Sequence, residues 1–131
     1  VERKGNVVHV YMTAIRSHFM PDNIEGIEVG DSVYFHVTNL EQDWDVPHGF
    51  AITGANNSEL LVMPGQTRTL AWVPQRPGVL PFYCTDFCSA LHQEMQGYIR
   101  VSSKGSSVPL KWNSPSYQAV ADAGAAGAPG K

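Results

Sequence analysis

The sequence predicts an all-β domain, because two kinds of pattern favour short strands. Apolar and polar residues alternate with a period of two along Val8–Met12 and Val33–Thr38, as in half-buried strands. Turn-forming pairs at Gly30-Asp31, Pro64-Gly65 and Pro77-Gly78 separate runs rich in β-branched and aromatic residues. Strands punctuated in this way are typical of a Greek-key barrel or sandwich, here of about eight strands.

The alternating pattern and the turns together set the expected strand boundaries. Alternation defines the strands at 6–13 and 32–39, and the turns delimit most of the others. In chain order the expected ranges are 6–13, 24–29, 32–39, 48–53, 58–63, 66–73, 79–84 and 97–103. Residues 14–23 and 85–96 interrupt the pattern and are expected to be irregular. Within the strands, Phe50, Trp72 and Tyr83 are expected in the core.

Length and composition limit the possible functions. A chain of 131 residues is long enough for one domain with its own core, and it is 43% apolar and only 16% charged. The net charge of −3 argues against a nucleic-acid partner. No apolar run approaches the roughly 20 residues that a membrane-spanning helix needs, so no span is expected. Val1 begins in charged, strand-like sequence, so any targeting peptide is expected to lie outside this chain.

The C-terminal part of the chain differs in composition from the rest. From Ala119 to Lys131 it is almost entirely Ala, Gly and Pro. Such a segment has little to bury. We expect a domain at residues 1–110 and a tail or linker at 111–131.

One short segment concentrates metal-binding chemistry. Cys84 and Cys88 are four residues apart, so a disulfide between them would add little stability by chain entropy. His92 and Met95 follow within the same segment. Soft sulfur ligands together with imidazole select copper or zinc over hard cations.

A second imidazole is available upstream at His48, which begins a predicted strand. Pro47 restricts the backbone just before it, and Gly49 allows a neighbouring chain to approach closely. A mononuclear copper site uses two His, one Cys and a weak Met, which leaves one thiol of this chain unexplained. Two copper ions bridged by both thiolates would use it. A single-copper site and a closed zinc site remain alternatives, as does the buried face of a short helix over Cys88–Met95.

These residues resemble a known family. The loop Cys84–Met95 is similar to the ligand loop of binuclear copper (CuA) domains, which occur in nitrous-oxide reductases and in subunit II of haem-copper oxidases. The stretches Val10–Thr13, Asp45–Phe50 and Ser89–Met95 most resemble the C-terminal domain of nitrous-oxide reductase. Asp86 departs from the Trp of many reductases and is closer to the acidic residue of oxidase subunits.

The resemblance implies a cupredoxin-like fold holding two copper ions. It implies that Cys84 and Cys88 are bridging thiolates and that His48 and His92 are terminal imidazole ligands. It also implies a weak thioether ligand from Met95 and a backbone carbonyl ligand from Asp86. The implied function is electron transfer from a cytochrome or cupredoxin donor to the catalytic copper cluster of a nitrous-oxide-reductase-like parent, in the periplasm. A homodimeric parent is also implied, and an oxidase subunit II is the alternative parent.

The remaining histidines and the acidic residues before His48 are expected to be solvent-exposed residues without a role in metal binding. His9, His18 and His36 are expected to be surface residues, and they are too few for a catalytic copper cluster. Glu41, with Asp43 and Asp45, is expected in a solvated acidic loop. The alternatives are a docking patch for a basic cytochrome and, for Asp45, a partner that fixes an imidazole tautomer.

Overall fold

The structure is a computed structural model that describes residues 1–15, 18–42, 46–54, 59–85 and 96–113. These residues contain eleven β-strands and no helix. Accordingly, the described residues include no helix long and apolar enough to cross a membrane. In chain order the strands are β1 (Glu2–Lys4), β2 (Val7–Ile15), β3 (His18–Met20), β4 (Asn23–Glu28), β5 (Ser32–Asn39), β6 (His48–Ile52), β7 (Glu59–Val62), β8 (Thr67–Trp72), β9 (Gly78–Tyr83), β10 (Gln96–Ser102) and β11 (Lys111–Asn113).

The strands form two mixed sheets. The first has the order β1-β2-β5-β8, with β3 also paired to β2, and the second has the order β11-β4-β10-β9-β6-β7. Strands β2 and β5 are parallel, as are β4 and β10, and the other pairs are antiparallel. Most hydrogen-bonded neighbours are distant in sequence, as in a Greek-key sandwich. The predicted all-β fold class is confirmed.

The core lies between the two sheets and contains a cluster of phenylalanines. The ring centroid of Phe50 lies 5.3 Å from that of Phe35, 5.4 Å from Phe82 and 5.7 Å from Phe19. Phe50 is fully buried and Trp72 is 9% exposed, as expected. The expectation for Tyr83 is wrong: alternation along β9 points Phe82 into the core and leaves Tyr83 41% exposed on the outer face.

All eight predicted strands are present, and no boundary differs from its expected position by more than two residues. Three additional strands, β1, β3 and β11, are each three residues long. Residues 14–23 were expected to be irregular, which is wrong in part, because β2 continues to Ile15 and β3 pairs with it. The short strands pair with the longer strands that form the two sheets.

Asp22 is a buried acid immediately before β4. It is 9% exposed, and its Oδ1 has no hydrogen-bond partner among the residues that the structure describes. Burial raises the pKa of Asp22 from 3.8 to about 6, although a backbone hydrogen bond and the charge of His18 oppose the shift. The backbone oxygen of Asp22 accepts a hydrogen bond from the amide of Tyr98 at 2.9 Å.

We predict that Asp22→Asn changes how stability depends on pH. The native chain retains a proton on Asp22 between pH 3.8 and about 6, whereas the unfolded chain loses it. The contribution of Asp22 is therefore most favourable below pH 3.8 and decreases as pH rises through about 6. As pH rises from 4 to 7, the free energy of unfolding of the asparagine variant should increase by on the order of 1 to 3 kcal/mol relative to that of the natural chain.

Chemical denaturation at both pH values measures this difference. The control is Glu25→Gln, three residues further along the chain in β4, which should follow the pH profile of the natural chain. Equal pH profiles for the Asp22→Asn variant and the natural chain would contradict the assignment.

Candidate metal centre

His48 begins strand β6 on its inward face. Alternation places its side chain on the same side as Phe50 and Ile52, and the residue is only 1% exposed. Strand β6 pairs with β7 from His48 to Ala51 and with β9 at Ala51 and Ile52, so paired strands hold its backbone. The imidazole is therefore presented to the protein interior from a rigid element.

Cys84 lies one residue beyond the end of β9. Its side chain shares the inward side with Phe82, and the residue is 2% exposed. Strands β6 and β9 are antiparallel, with Ala51 opposite Tyr83 and Ile52 opposite Phe82. This register brings the beginning of β6 close to the end of β9 and so joins two residues that are 36 positions apart.

The atoms that meet are the Nδ1 of His48 and the Sγ of Cys84, which are 3.9 Å apart. Without a metal this is a weak hydrogen bond between a thiol and an imidazole. The distance also fits shared ligation, because bonds of about 2.0 Å to nitrogen and 2.3 Å to sulfur span it at an angle of roughly 130°. The donor set and its spacing therefore fit a copper or zinc ion bound to Nδ1 and Sγ.

The second ring nitrogen of His48 contacts a carboxylate. Its Nε2 lies 2.9 Å from the Oε2 of Glu41, whose side chain is 8% exposed. A proton on Nε2 that is donated to Glu41 leaves the lone pair of Nδ1 directed at Cys84. Metal-bound imidazoles commonly have this arrangement, in which a carboxylate fixes the tautomer and the ring orientation.

Asn39 holds the loop that contains Glu41. It is fully buried at the end of β5, and its Nδ2 donates to the carbonyl of Val46 at 3.0 Å and to that of Val62 at 2.9 Å. Its Oδ1 accepts the amide of Glu41 at 2.8 Å. One side chain thus positions Glu41 and the segment that leads into His48.

The electrostatic environment of His48 has opposing contributions. Burial lowers the pKa of the imidazole, but hydrogen bonds and charges of Cys84 and Glu41 outweigh this effect and raise the pKa above its ordinary value. Both partners are acids that favour positive charge on the ring. The same negative character favours a bound cation.

Two glycines allow close packing on either side of the proposed ligand loop. A Cβ at Gly49 would overlap the hydroxyl of Thr85, which confirms the expected close approach at this position. A Cβ at Gly97 would collide with the backbone oxygen of Asp22 and the ring of Phe82. The chain that enters and leaves the loop is therefore packed against the sheet and its neighbours.

Four predicted site residues fall outside the described residues, namely Asp86, Cys88, His92 and Met95. Their roles stay predictions. Asp43 and Asp45 also lie outside the described part of the chain. Within the described part, no three His, Cys, Asp or Glu side chains form a possible metal site, because only His48 and Cys84 of the proposed ligand set are included.

Glu41 is a site residue that the sequence interpretation missed. It was expected in a solvated loop, but it is nearly buried and hydrogen-bonded to His48. Its position seven residues before His48 gives no periodic signal in the sequence. The contact depends on Asn39, whose long-range hydrogen bonds cannot be inferred from local sequence.

The fold and the buried thiol and imidazole define a cupredoxin-like copper-protein class. Among solved structures, auracyanin B matches 78% of this chain and 93% of its own at a TM-score of 0.61, with 12% identity, which supports the fold. No family model matches the chain.

Sequence relatives identify the family more narrowly. The chain is 39% identical to nitrous-oxide reductase of Stutzerimonas stutzeri over 77% of its own length and 16% of that protein. It is 34% identical to cytochrome c oxidase subunit 2 of Thermus thermophilus over 77% of its length and 70% of that protein. The chain belongs to the family of CuA domains that these proteins share, and this membership supports a role as a copper electron-transfer domain.

We predict that Glu41→Ala weakens copper binding by about 10- to 100-fold, because the imidazole loses the partner that fixes its tautomer. Glu41→Gln should retain most of the affinity, since its side-chain oxygen can still accept from Nε2. Competition with a copper chelator measures both affinities. Glu59→Ala, on the exposed side of β7, is the control. Equal affinities for Glu41→Ala and the natural chain would remove Glu41 from this role.

Proposed function

We propose that the chain is an electron-transfer domain with a binuclear, mixed-valence CuA centre. Two copper ions would be bridged by the thiolates of Cys84 and Cys88. His48 and His92 would each bind one ion, and the remaining ligands would be the Met95 thioether and the Asp86 carbonyl.

The observation that carries the proposal is the 3.9 Å approach of His48 Nδ1 to Cys84 Sγ in the core. Both atoms belong to residues that the family resemblance assigns as ligands. The nearly complete burial of both residues limits water access to these two donors. Thiolate and imidazole donors shielded from water favour a soft metal over a hydrated hard cation.

The residues of the chain would reduce the structural change that accompanies electron transfer. Bound copper would supply a site that gains and loses one electron. Paired strands hold His48, and Glu41 fixes the orientation of its ring. Cys84 follows directly from β9, so its sulfur also has little freedom to move. A donor set held this rigidly favours small changes in bond length when the charge changes.

The resemblance to CuA domains supports the proposed electron path and location. A cytochrome or cupredoxin would donate electrons, and the catalytic copper cluster of a nitrous-oxide-reductase-like parent, in a homodimer, would accept them. The chain spans about 16% of the reductases that it matches, so the remaining activity would belong to other parts of the parent. A periplasmic location is consistent with this assignment.

An oxidase subunit is the second candidate for the parent. The chain covers 70% of the Thermus thermophilus subunit 2, compared with 16% of the reductase. In this case the electrons would pass to a haem-copper oxidase. Rapid mixing can measure electron transfer from the copper-loaded chain to a purified reductase and to a purified oxidase, each lacking its own CuA domain. Faster transfer to one of these enzymes would identify the type of parent.

We predict that the copper-loaded chain contains two tightly bound copper ions that share one unpaired electron. Metal analysis after removal of loosely bound copper should give two ions per chain. Electron paramagnetic resonance should show hyperfine splitting from two copper nuclei. One ion per chain with splitting from a single nucleus would support the mononuclear alternative, and preferred zinc binding without colour would support the zinc site.

Cys88→Ser provides the matched variant for this measurement. It removes one bridging thiolate, so the shared-electron signal should be lost while circular dichroism still shows the β fold. Ser89→Ala changes the adjacent residue and should retain the signal. An unchanged spectrum in Cys88→Ser would exclude Cys88 from the centre.

A further inference from the structure

Two histidines meet on the outer face of the first sheet, on the opposite side of β2 and β5 from the core. His9 Nδ1 lies 2.9 Å from His36 Nε2, and the ring centroids are 5.1 Å apart with a 17° angle between the planes. A nitrogen separation this short is that of a hydrogen bond in which the N–H of one imidazole donates to the other, so the two rings meet by their edges. The sequence interpretation placed both residues on the surface but did not predict this contact.

Parallel pairing of β2 and β5 produces the contact. His9 is opposite Tyr34, and Tyr11 is opposite His36, so the two histidines occupy diagonal positions. Each imidazole also packs beside a tyrosine: the centroid distance is 5.4 Å for His9 and Tyr34 and 5.0 Å for Tyr11 and His36. Four rings from two rigid strands therefore hold the nitrogens together.

The outer nitrogen of His36 has its own partner. Its Nδ1 lies 2.9 Å from the Oγ1 of Thr69 in the adjacent strand β8. When His36 donates from Nδ1, its Nε2 lone pair faces His9. A hydrogen-bonded outer nitrogen is the arrangement that orients metal-binding imidazoles in proteins.

We propose that His9 and His36 form a second metal site, which binds a divalent cation such as Cu²⁺ or Zn²⁺ at the surface. Tetrahedral Zn²⁺ would hold two nitrogens about 3.3 Å apart, whereas tetragonal Cu²⁺ holds neighbouring nitrogens at right angles and roughly 2.9 Å apart. The observed separation of 2.9 Å is the one that suits Cu²⁺. Metal binding would replace the hydrogen bond between the rings. With the His9 proton on Nε2 rather than Nδ1, rotation of the rings about the soft Cβ–Cγ bonds would turn both lone pairs toward the ion, with water at the remaining positions.

The charge around the pair also favours a cation. Burial, together with the nearby His9, lowers the pKa of His36, so its ring is available as a neutral ligand. Glu2 lies opposite His9 in the β1 and β2 register, and its Oε1 is 3.4 Å from the hydroxyl of Tyr11. Copper should bind more tightly than zinc, as the usual order of affinities for nitrogen ligands predicts.

The test adds Cu²⁺ to the copper-loaded chain and follows binding by calorimetry and electron paramagnetic resonance. The natural chain should bind one additional Cu²⁺, with splitting from a single copper nucleus. His9→Ala and His36→Ala should each weaken this binding by at least about 100-fold, and Thr69→Val by about tenfold. His18→Ala, an exposed histidine in the same sheet, is the control and should bind like the natural chain.

Equal Cu²⁺ uptake by all variants, or no additional uptake by the natural chain, would overturn the proposal. A purely structural array of rings predicts lower melting temperatures in the variants with unchanged metal binding. Zn²⁺ provides a second measurement, because it should raise the melting temperature of the natural chain but not that of His9→Ala. The comparison among variants does not depend on how many copper ions the buried centre binds.

Discussion

Backbone pairing between β6 and β9 is the constraint on which the proposed copper centre depends. The register that places Ile52 opposite Phe82 also brings His48 to the side of Cys84. A shift of one residue would turn the side chains of one strand to the opposite face and separate the two donors. The phenylalanine cluster around Phe50 opposes such a shift, because it would expose rings that now fill the core.

Strand pairing alone does not orient the imidazole. Glu41 does so by accepting from Nε2. The buried Asn39 in turn accepts the amide of Glu41 and donates to the carbonyls of Val46 and Val62. The proposed site is therefore supported by a chain of contacts from the sheet to the ligand. A copper ion that changes oxidation state would encounter donors that are already positioned, which is the structural requirement for rapid electron transfer.

Much of the fold could be predicted from sequence because the long strands carry strong local signals. Alternation in β2 and β5 and the Pro-Gly turns identified eight strands. The short strands β1, β3 and β11 were missed, since three residues cannot establish a period and their pairing depends on neighbouring strands.

The candidate site likewise has a part that the sequence predicts and a part that it does not. His48 and Cys84 were predicted as ligands from ligand chemistry and family resemblance, and the structure places their side chains 3.9 Å apart. Glu41 and the pair of His9 and His36 were not, because their contacts arise from long-range hydrogen bonds and from strand register. Neither long-range hydrogen bonds nor strand register can be inferred from local sequence.

Anomalous diffraction at the copper absorption edge, from crystals of the copper-loaded chain, would locate the metal relative to its proposed ligands. The proposed centre predicts copper bonded to both the Nδ1 of His48 and the Sγ of Cys84, with Nε2 still hydrogen-bonded to Glu41. Copper bonded to Nε2 instead, or a Cys84 sulfur without a metal bond, would contradict it.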